Sequence, residues 1–463
     1  MSMPPPYKKQ TYKEFIQKKK IKDIPTGFEA SQLPVKCFDF QNDITRWACR
    51  RGRAALFEDC GLGKTPQQLA WAEQVVAKTN LPVLGLAPLC VTKQTQREGD
   101  KFGIKVNIVT EQSEVVPGIN YTNYEKLHHF DASQFGGIVL DESSILKSFD
   151  GATRNLVIES FAKTPYKLAC TATPAPNDFM ELGNHAEFLG VMSRTEMLAT
   201  FFIHDGGETA KWRLKGHAEQ DFWKWICSWA VNIRKPSDLG YKDGKFKLPE
   251  LNLVEHVVES KQKMDGYLFA LPASSLAERR DARRESLAER VELAAELASG
   301  SKEQWVFWCN LNSESESLSK LIGAEEISGA TPEHERELIA QGFLDGSIRC
   351  VVTKPSIWGF GMNLQCCHNT ALVGLSDSYE SFYQVVRRFW RFGQTKTVNA
   401  HLIISDLEGA VLKNIKRKEA DAMRMANEML ENMASISSKE IKGLVRETET
   451  YNPQMKMILP KFL

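Results

Sequence analysis

Six short apolar runs constrain this chain more than any other feature: VLGLA (83 to 87), GIVLD (137 to 141), KLACT (167 to 171), WVFWC (305 to 309), IRCVV (348 to 352) and HLIIS (401 to 405). A run that is apolar at every position, rather than at every second one, belongs to a strand covered on both faces, as in a parallel sheet. Helical patterns such as PQQLAWAEQVV separate the runs, so the expected class is α/β. The runs form two series, divided by an aromatic stretch over about 176 to 250 that is short of strand patterns. The expected organisation is therefore two parallel-sheet lobes in tandem with a helical insertion. A basic arm covers 1 to 36. The first lobe covers 37 to 250 with the insertion from about 176, the second covers 251 to 410, and a helical tail covers 411 to 463.

Composition narrows the function classes. With 463 residues, 42% of them hydrophobic, the chain can bury more than one core. Its apolar runs fall short of the roughly 18 to 20 residues that a membrane span needs, so no membrane partner is expected. The opening MSMPPPYKKQ lacks the apolar core of a signal peptide, which points to a cytoplasmic protein. A net charge of +1 means that a polyanion must be held by a local groove rather than by the field of the whole molecule. The ten cysteines are scattered, with only Cys366 and Cys367 adjacent, which suits free thiols. The spacing of Trp223, Trp225 and Trp229 in FWKWICSW predicts a buried helical core rather than a base-stacking platform.

Chemistry enters at ALFEDCGLGKT, residues 55 to 65, which leaves a strand-like run through two glycines and opens a helix. Glycines let the backbone wrap a phosphate, and helix N-terminal amides point at it. Lys64 adds a point charge and Thr65 a hydroxyl for Mg²⁺. In GGIVLDESS, Asp141 and Glu142 stand where a parallel strand emerges at the ligand edge of its sheet. Asp141 suits the metal, and Glu142 suits orienting or deprotonating the water that attacks a γ-phosphate. In the second series QVVRRFWRFGQ, residues 384 to 394, sets Arg387, Arg388 and Arg391 among apolar residues. Guanidinium groups in such company call for an anion.

These blocks, in this order, resemble a superfamily-two helicase-type motor ATPase of the DEAD/DEAH superclass, in its SWI/SNF-like branch and of the short type found in prokaryotes and their phages. CFDFQNDITRWA is similar to the RPYQ adenine-sensing motif, FEDCGLGKT to ADEMGLGKT, DESS to DEAH and CTATPAPND to LTGTPxxN. SGATPEHERELIAQGF, GFGMNLQ and QVVRRFWRFGQ resemble the motifs of the second lobe, and the likeness runs from Phe38 to Ile404. It implies two RecA-like lobes, ATP with Mg²⁺, and movement along duplex DNA without sequence preference. Partner proteins are also possible in this reading. A strand-separating DNA or RNA helicase is one alternative. Another is an ATP-gated module that binds nucleic acid or a partner within a restriction, defence or replication complex.

Carried over residue by residue, the resemblance puts Gln41, Cys60, Gly61, Leu62, Gly63, Lys64, Thr65 and Gly361 at ATP, and Thr65 and Asp141 at the metal. Glu142, Lys64, Arg388 and Arg391 become catalytic, the two arginines reaching across the cleft as fingers. Ser144, Thr171, Thr173 and Gln384 become coupling residues. Thr92, Lys93, Thr122, Asn123, Thr331, Thr353 and Asn363 become contacts to nucleic-acid phosphates. Five positions depart from the pattern. Glu58 and Asp59 reverse its Asp-Glu, Ser144 replaces a histidine, Arg387 stands in place of a glycine, and Trp358 stands in place of another.

Overall fold

A computed structural model of the chain describes residues 25–34, 36–148, 151–176, 178–204, 212–259, 284–359, 362–376 and 378–441. Gly361, most of the basic arm, much of the charged segment before 284 and the tail beyond 441 lie outside the described residues.

The first series of runs builds β1 (Arg53–Glu58), β2 (Val83–Ala87), β3 (Val106–Ile108), β4 (Ile119–Asn123), β5 (Gly137–Asp141) and β6 (Tyr166–Thr171). A short antiparallel pair, β7 (Phe202–His204) with β8 (Trp212–Leu214), precedes β9 (Ala230–Ile233). Seven of these strands form one parallel sheet in the order β3-β4-β2-β5-β6-β1-β9. The second lobe holds β10 (Leu251–Val258), β11 (Trp305–Cys309), β12 (Glu325–Ile327), β13 (Cys350–Thr353), β14 (Asn369–Val373) and β15 (Val398–Ser405). These strands are also parallel, in the order β10-β15-β14-β11-β13-β12. The fold is thus α/β with two parallel sheets in tandem.

Two strands differ from the sequence expectation. The aromatic stretch is not only an insertion, because its buried AVNI segment is β9, which closes one edge of the first sheet beside β1. LNLVEHVV, which is not among the six apolar runs, is β10, an edge strand with half-exposed and exposed residues in alternation. An edge strand covered on one side has no continuous apolar run to reveal it.

The helices that matter for the site are α1 (Asp39–Arg51), α2 (Lys64–Thr79), α3 (Leu89–Phe102), α4 (Leu182–Leu189), α5 (Glu219–Cys227), α6 (Leu287–Ser299), α7 (Glu333–Asp345), α8 (Tyr379–Phe389) and α9 (Gly409–Ile441). Trp223 and Trp225 on α5, with Trp229 just beyond it, are buried among Phe201, Phe202 and Phe222 in edge-to-face and stacked pairs. They are core, as their spacing predicts. No helix among the described residues is long and apolar enough to cross a membrane.

Helix α9 spans 33 residues, about 50 Å at 1.5 Å per residue, long enough to touch both lobes. Its first turns place Val411 and Ile415 in the second-lobe core. Met425, Met429 and Met433, spaced four apart on one face, enter the first-lobe core, and Ile441 enters a neighbouring cluster of that lobe. Arg234 Nη1 donates to Asn427 Oδ1 at 2.6 Å, and Ser438 Oγ donates to the Leu239 carbonyl at 3.3 Å. The tail is therefore part of the core of the lobe from which it is most distant in sequence. Met433 is fully buried. Met433→Ala should destabilise the protein by about 2–5 kcal/mol, the range for a core truncation. A thermal or denaturant melt reads this, and a change below about 0.5 kcal/mol would mean that α9 sits only loosely on the surface.

Candidate nucleotide site between the lobes

Strands β1, β6 and β5 are neighbours whose C-terminal ends are level, since Phe57 pairs with Thr171 and Asp141 with Cys170. Parallel strands lie about 4.8 Å apart, so the loop after Glu58, the Thr171–Thr173 turn and the Asp141–Glu142 pair fall side by side on one edge. This is the crevice edge of an open α/β sheet.

The phosphate loop takes its shape from two glycines in the left-handed region, Gly61 at φ +89° and Gly63 at φ +80°. Gly63 precedes α2, so the helix begins at Lys64 and its first amides face the loop. Gln41 braces this turn, with Nε2 donating to the Leu62 carbonyl at 2.7 Å and Oε1 accepting from Phe38 N–H at 2.9 Å. Lys64 Nζ donates to the backbone oxygens of Glu58 at 2.7 Å and Asp59 at 3.3 Å. Burial alone would lower the Lys64 pKa, but Cys60, Glu142, Glu58 and Asp141 outweigh it and hold the ammonium above its ordinary value. Cys60, Leu62 and Thr65 line the same turn, with Thr65 half-buried in the first turn of α2.

Asp141 is anchored by residues that sequence reasoning did not single out. Gln68 Nε2 donates to Asp141 Oδ1 at 2.8 Å, and Tyr121 OH donates to Gln68 Oε1 at 3.2 Å. The Glu142 amide also reaches Oδ1, at 3.1 Å, which leaves Oδ2 for a cation. Glu142 adopts φ +52°, ψ +53°, a left-handed conformation that costs a non-glycine residue about 1–2 kcal/mol. The surroundings enforce it. Tyr124 OH donates to the Asp141 carbonyl at 2.7 Å, and Ser143 Oγ meets His185 Nε2 at 3.1 Å. Asn184 Nδ2 donates to the Leu146 and Lys147 carbonyls at 2.8 and 3.1 Å. Helix α4 thus clamps the turn after Glu142 through two consecutive residues. Burial raises the pKa of both Asp141 and Glu142, and in Glu142 the Asp141 charge adds to it. A raised carboxyl is better suited to taking a proton.

The second lobe brings α8 to this edge. Glu380 lies in its first turn and Arg387 and Arg388 in its last, each charge favoured by the helix dipole. Arg388 Nη2 donates to Gln384 Oε1 at 2.8 Å, one turn earlier. The Arg388 charge favours the ionised form of both Asp141 and Glu142, against their burial. Burial, and then the neighbouring Arg388, lower the Arg391 pKa, while Cys60 and Glu142 oppose them. A Cβ on Gly61 would stand 2.7 Å from the amide nitrogen of Phe392, so the phosphate loop and the end of the arginine motif are in close contact. Glu142 Oε2, Thr173 Oγ1, Gln384 Nε2 and Arg388 Nε are buried with no partner among the described residues. Buried polar atoms of this kind call for a polar ligand. The donors offered by Asp141 Oδ2 and the Thr65 hydroxyl are both oxygen, which fits Mg²⁺.

The remaining candidates are placed less uniformly. Ser144 Oγ donates to Glu380 Oε1 at 3.1 Å, joining the lobes. Thr171 is fully buried and its Oγ1 accepts the Thr173 amide at 3.1 Å, shaping the turn. Among the residues assigned to nucleic acid, Thr92 is buried and donates to the Leu89 carbonyl, and Thr353 is buried and donates to the Ile327 carbonyl. Thr122 is buried in β4, and Asn123 caps the following turn by accepting from Lys126 N–H. Lys93, Thr331 and Asn363 lie nearer the surface. Thr331 Oγ1 accepts from Ser328 N–H within its own turn.

Residues 289–393 match the family described as helicase conserved C-terminal domain, which begins in α6 and ends beside Gln394. No curated protein matches the chain. Among solved structures, the SWI2/SNF2 ATPase core of Sulfolobus solfataricus in complex with double-stranded DNA is similar, at 18% identity over 90% of this chain and 98% of that one, with a TM-score of 0.41. Residues 289–393 of the second lobe are thus similar to a helicase C-terminal domain, and the chain joins them to a first lobe with a glycine turn at the crevice edge of its sheet.

Glu58, where the general phosphate-loop pattern has its first glycine, is fully buried. Its Oε2 accepts from Gln67 Nε2 at 2.8 Å and its Oε1 has no partner among the described residues. Burial pushes its pKa up to about 7, against Lys64 and Gln67, which lower it. Between about pH 4.5 and 7 the folded protein therefore keeps a proton that the unfolded chain has released, so this contribution to stability falls as pH rises through that window. Glu58→Gln cannot ionise. Its stability relative to the parent should rise by on the order of 3 kcal/mol between pH 5 and pH 8. Melts of both proteins across that range test this, and a constant difference would contradict it.

Proposed function

We propose that this chain is an ATP- and Mg²⁺-dependent DNA translocase of the SWI/SNF-like branch, coupling hydrolysis between its lobes to movement along duplex DNA. One observation carries the reading: the Gly61–Lys64 turn of the first lobe meets the arginine motif of the second, where a Cβ on Gly61 would stand 2.7 Å from Phe392 N and 3.5 Å from Arg391 Cβ. Triphosphate held by the Gly61–Thr65 turn would draw Lys64 from the backbone oxygens of Glu58 and Asp59 to its own charge. Mg²⁺, held by Thr65 and Asp141, would neutralise phosphate charge. Glu142, fixed by its strained turn, would orient the attacking water and accept its proton. Arg388 and Arg391 would stabilise charge on the transferred phosphoryl group, which makes hydrolysis depend on lobe closure. Ser144, Thr171, Thr173 and Gln384 connect this chemistry to the opposite lobe.

The choice of duplex DNA rests on the resemblance of the motifs, and the contacts proposed are to phosphates, which position a protein without reading sequence. Lys93 on α3, with Thr331 and Asn363 on the second lobe, are the accessible members of that set. Lys93 Nζ pairs with Glu333 Oε1 at 2.8 Å and Glu337 Oε1 at 3.0 Å on α7. These exposed pairs are weak, so phosphates can displace them.

Two sets of measurements test the proposal. ATP turnover should rise with duplex DNA of any sequence, and this stimulation should fade with salt. Lys64→Ala should abolish turnover, Glu142→Gln should bind ATP without hydrolysing it, and Arg388→Ala or Arg391→Ala should lower kcat by roughly 10³. Wild-type turnover in these variants would remove the site, and stimulation by RNA alone would remove the DNA assignment. Separately, Glu333→Gln combined with Glu337→Gln should tighten duplex binding severalfold at low salt by freeing Lys93. An unchanged affinity in a binding titration would take Lys93 out of the groove.

A further inference from the structure

Two of the departures noted in the sequence, Asp59 and Arg387, touch one another. Arg387 Nη2 pairs with Asp59 Oδ2 across the cleft, and Tyr383 OH donates to Asp59 Oδ1 at 2.7 Å. Asp59 Oδ1 also accepts the Cys60 amide at 2.7 Å, so the carboxylate is tied to the phosphate loop on one side and to α8 on the other. Arg387 is 5% exposed, and its guanidinium lies 4.6 Å from the Trp390 ring centroid and 5.2 Å from that of Tyr383. Stacking of this kind fixes the plane of the fork as well as its charge. At the other end of the helix, Glu380 pairs with Lys147 and accepts from Ser144 Oγ, both in the turn that follows Glu142.

Residues 380, 383 and 387 are spaced three and four apart, so they share one face of α8, two turns long. Gln384 and Arg388, four apart, form the adjoining row. The docking face therefore sets the rotation of the helix, and one residue of rotation, 100°, would carry Arg388 away from the acids. We propose that Asp59, Tyr383 and Arg387, with Glu380 and Lys147 at the far end, are positioning residues that dock α8 on both catalytic loops and so hold Arg388 and Arg391 in register with Glu142. A glycine at 387 could not make this contact, and an Asp-Arg pair replaces whatever holds the helix where that glycine is present. Burial works against the Asp59 carboxylate, yet Arg387, Tyr383 and the Cys60 amide together hold its pKa below the ordinary value.

The catalytic part of this inference rests on the reading of the chain as an ATPase, whereas the docking part does not. Both are measured on the full chain. Dyes at positions 78 and 320, exposed on the first and second lobes, report the distance between lobes by energy transfer. Asp59→Asn and Arg387→Gln should each widen that distance distribution and lower kcat about tenfold or more while leaving KM for ATP within about threefold. The double variant should be no slower than the slower single, because a shared contact can be lost only once. Arg387→Lys, which keeps the charge but not the fork, should fall between wild type and Arg387→Gln. A merely structural role would lower the melting temperature and leave kcat per folded molecule unchanged. If the wild type lacks ATP turnover, the ATPase reading falls and the distance measurement still decides the docking. Single variants with wild-type distances, or additive losses in the double variant, would overturn the proposal.

Discussion

The level ends of β1, β6 and β5 are the constraint on which the rest of the cleft depends. Parallel pairing in this register brings three loops, far apart in sequence, to one edge of one sheet. Each loop then needs only local chemistry to become functional. Two left-handed glycines open the first, the Thr171 hydroxyl shapes the second, and α4 holds the third in a conformation that Glu142 would not choose alone. The strain at Glu142 is small beside the bonds that enforce it, which is how an active-site backbone keeps an unfavourable angle.

The second lobe adds charge of the opposite sign at the same edge. Helix α8 carries its acid at the N-terminus and its arginines at the C-terminus, and both ends meet first-lobe groups. Among the described residues, three separate ion-pair sites cross between the lobes, through Arg387, Lys147 and Lys93. They differ in weight: the Lys93 pairs are exposed and screened, while Arg387 is buried with its partner. Helix α9 joins the lobes by a different means, with apolar side chains in both cores, a contact that does not depend on charge attraction.

Much of this was legible in the sequence, for identifiable reasons. Strands covered on both faces appear as unbroken apolar runs, so β2, β5, β6 and β11 are visible by eye, while the edge strand β10 and the short β9 are not. Lys64, Asp141 and Glu142 stand out because phosphate and metal chemistry needs those types after a strand. Their supports do not. Gln68 is hidden in an ordinary helical run, and Asn184 and His185 act through contacts about 40 residues away that leave no periodic trace. The Asp59–Arg387 contact spans more than 300 positions, and its two members appeared only as separate departures from a pattern. For the threonines assigned to nucleic acid, residue type alone could not separate a surface hydroxyl from one turned inward, as at Thr353.

In the proposed function, one nucleotide is held by both lobes at once. The most direct test is an experimental structure of the full chain with Mg²⁺ and a non-hydrolysable ATP analogue. The account predicts the phosphates within the Gly61–Thr65 turn, Lys64 Nζ moved from the Glu58 and Asp59 carbonyls onto phosphate oxygen, and Arg388 and Arg391 within hydrogen-bonding reach, about 3 Å, of the terminal phosphate. A nucleotide bound by the first lobe alone, with both arginines still turned to protein partners, would contradict it.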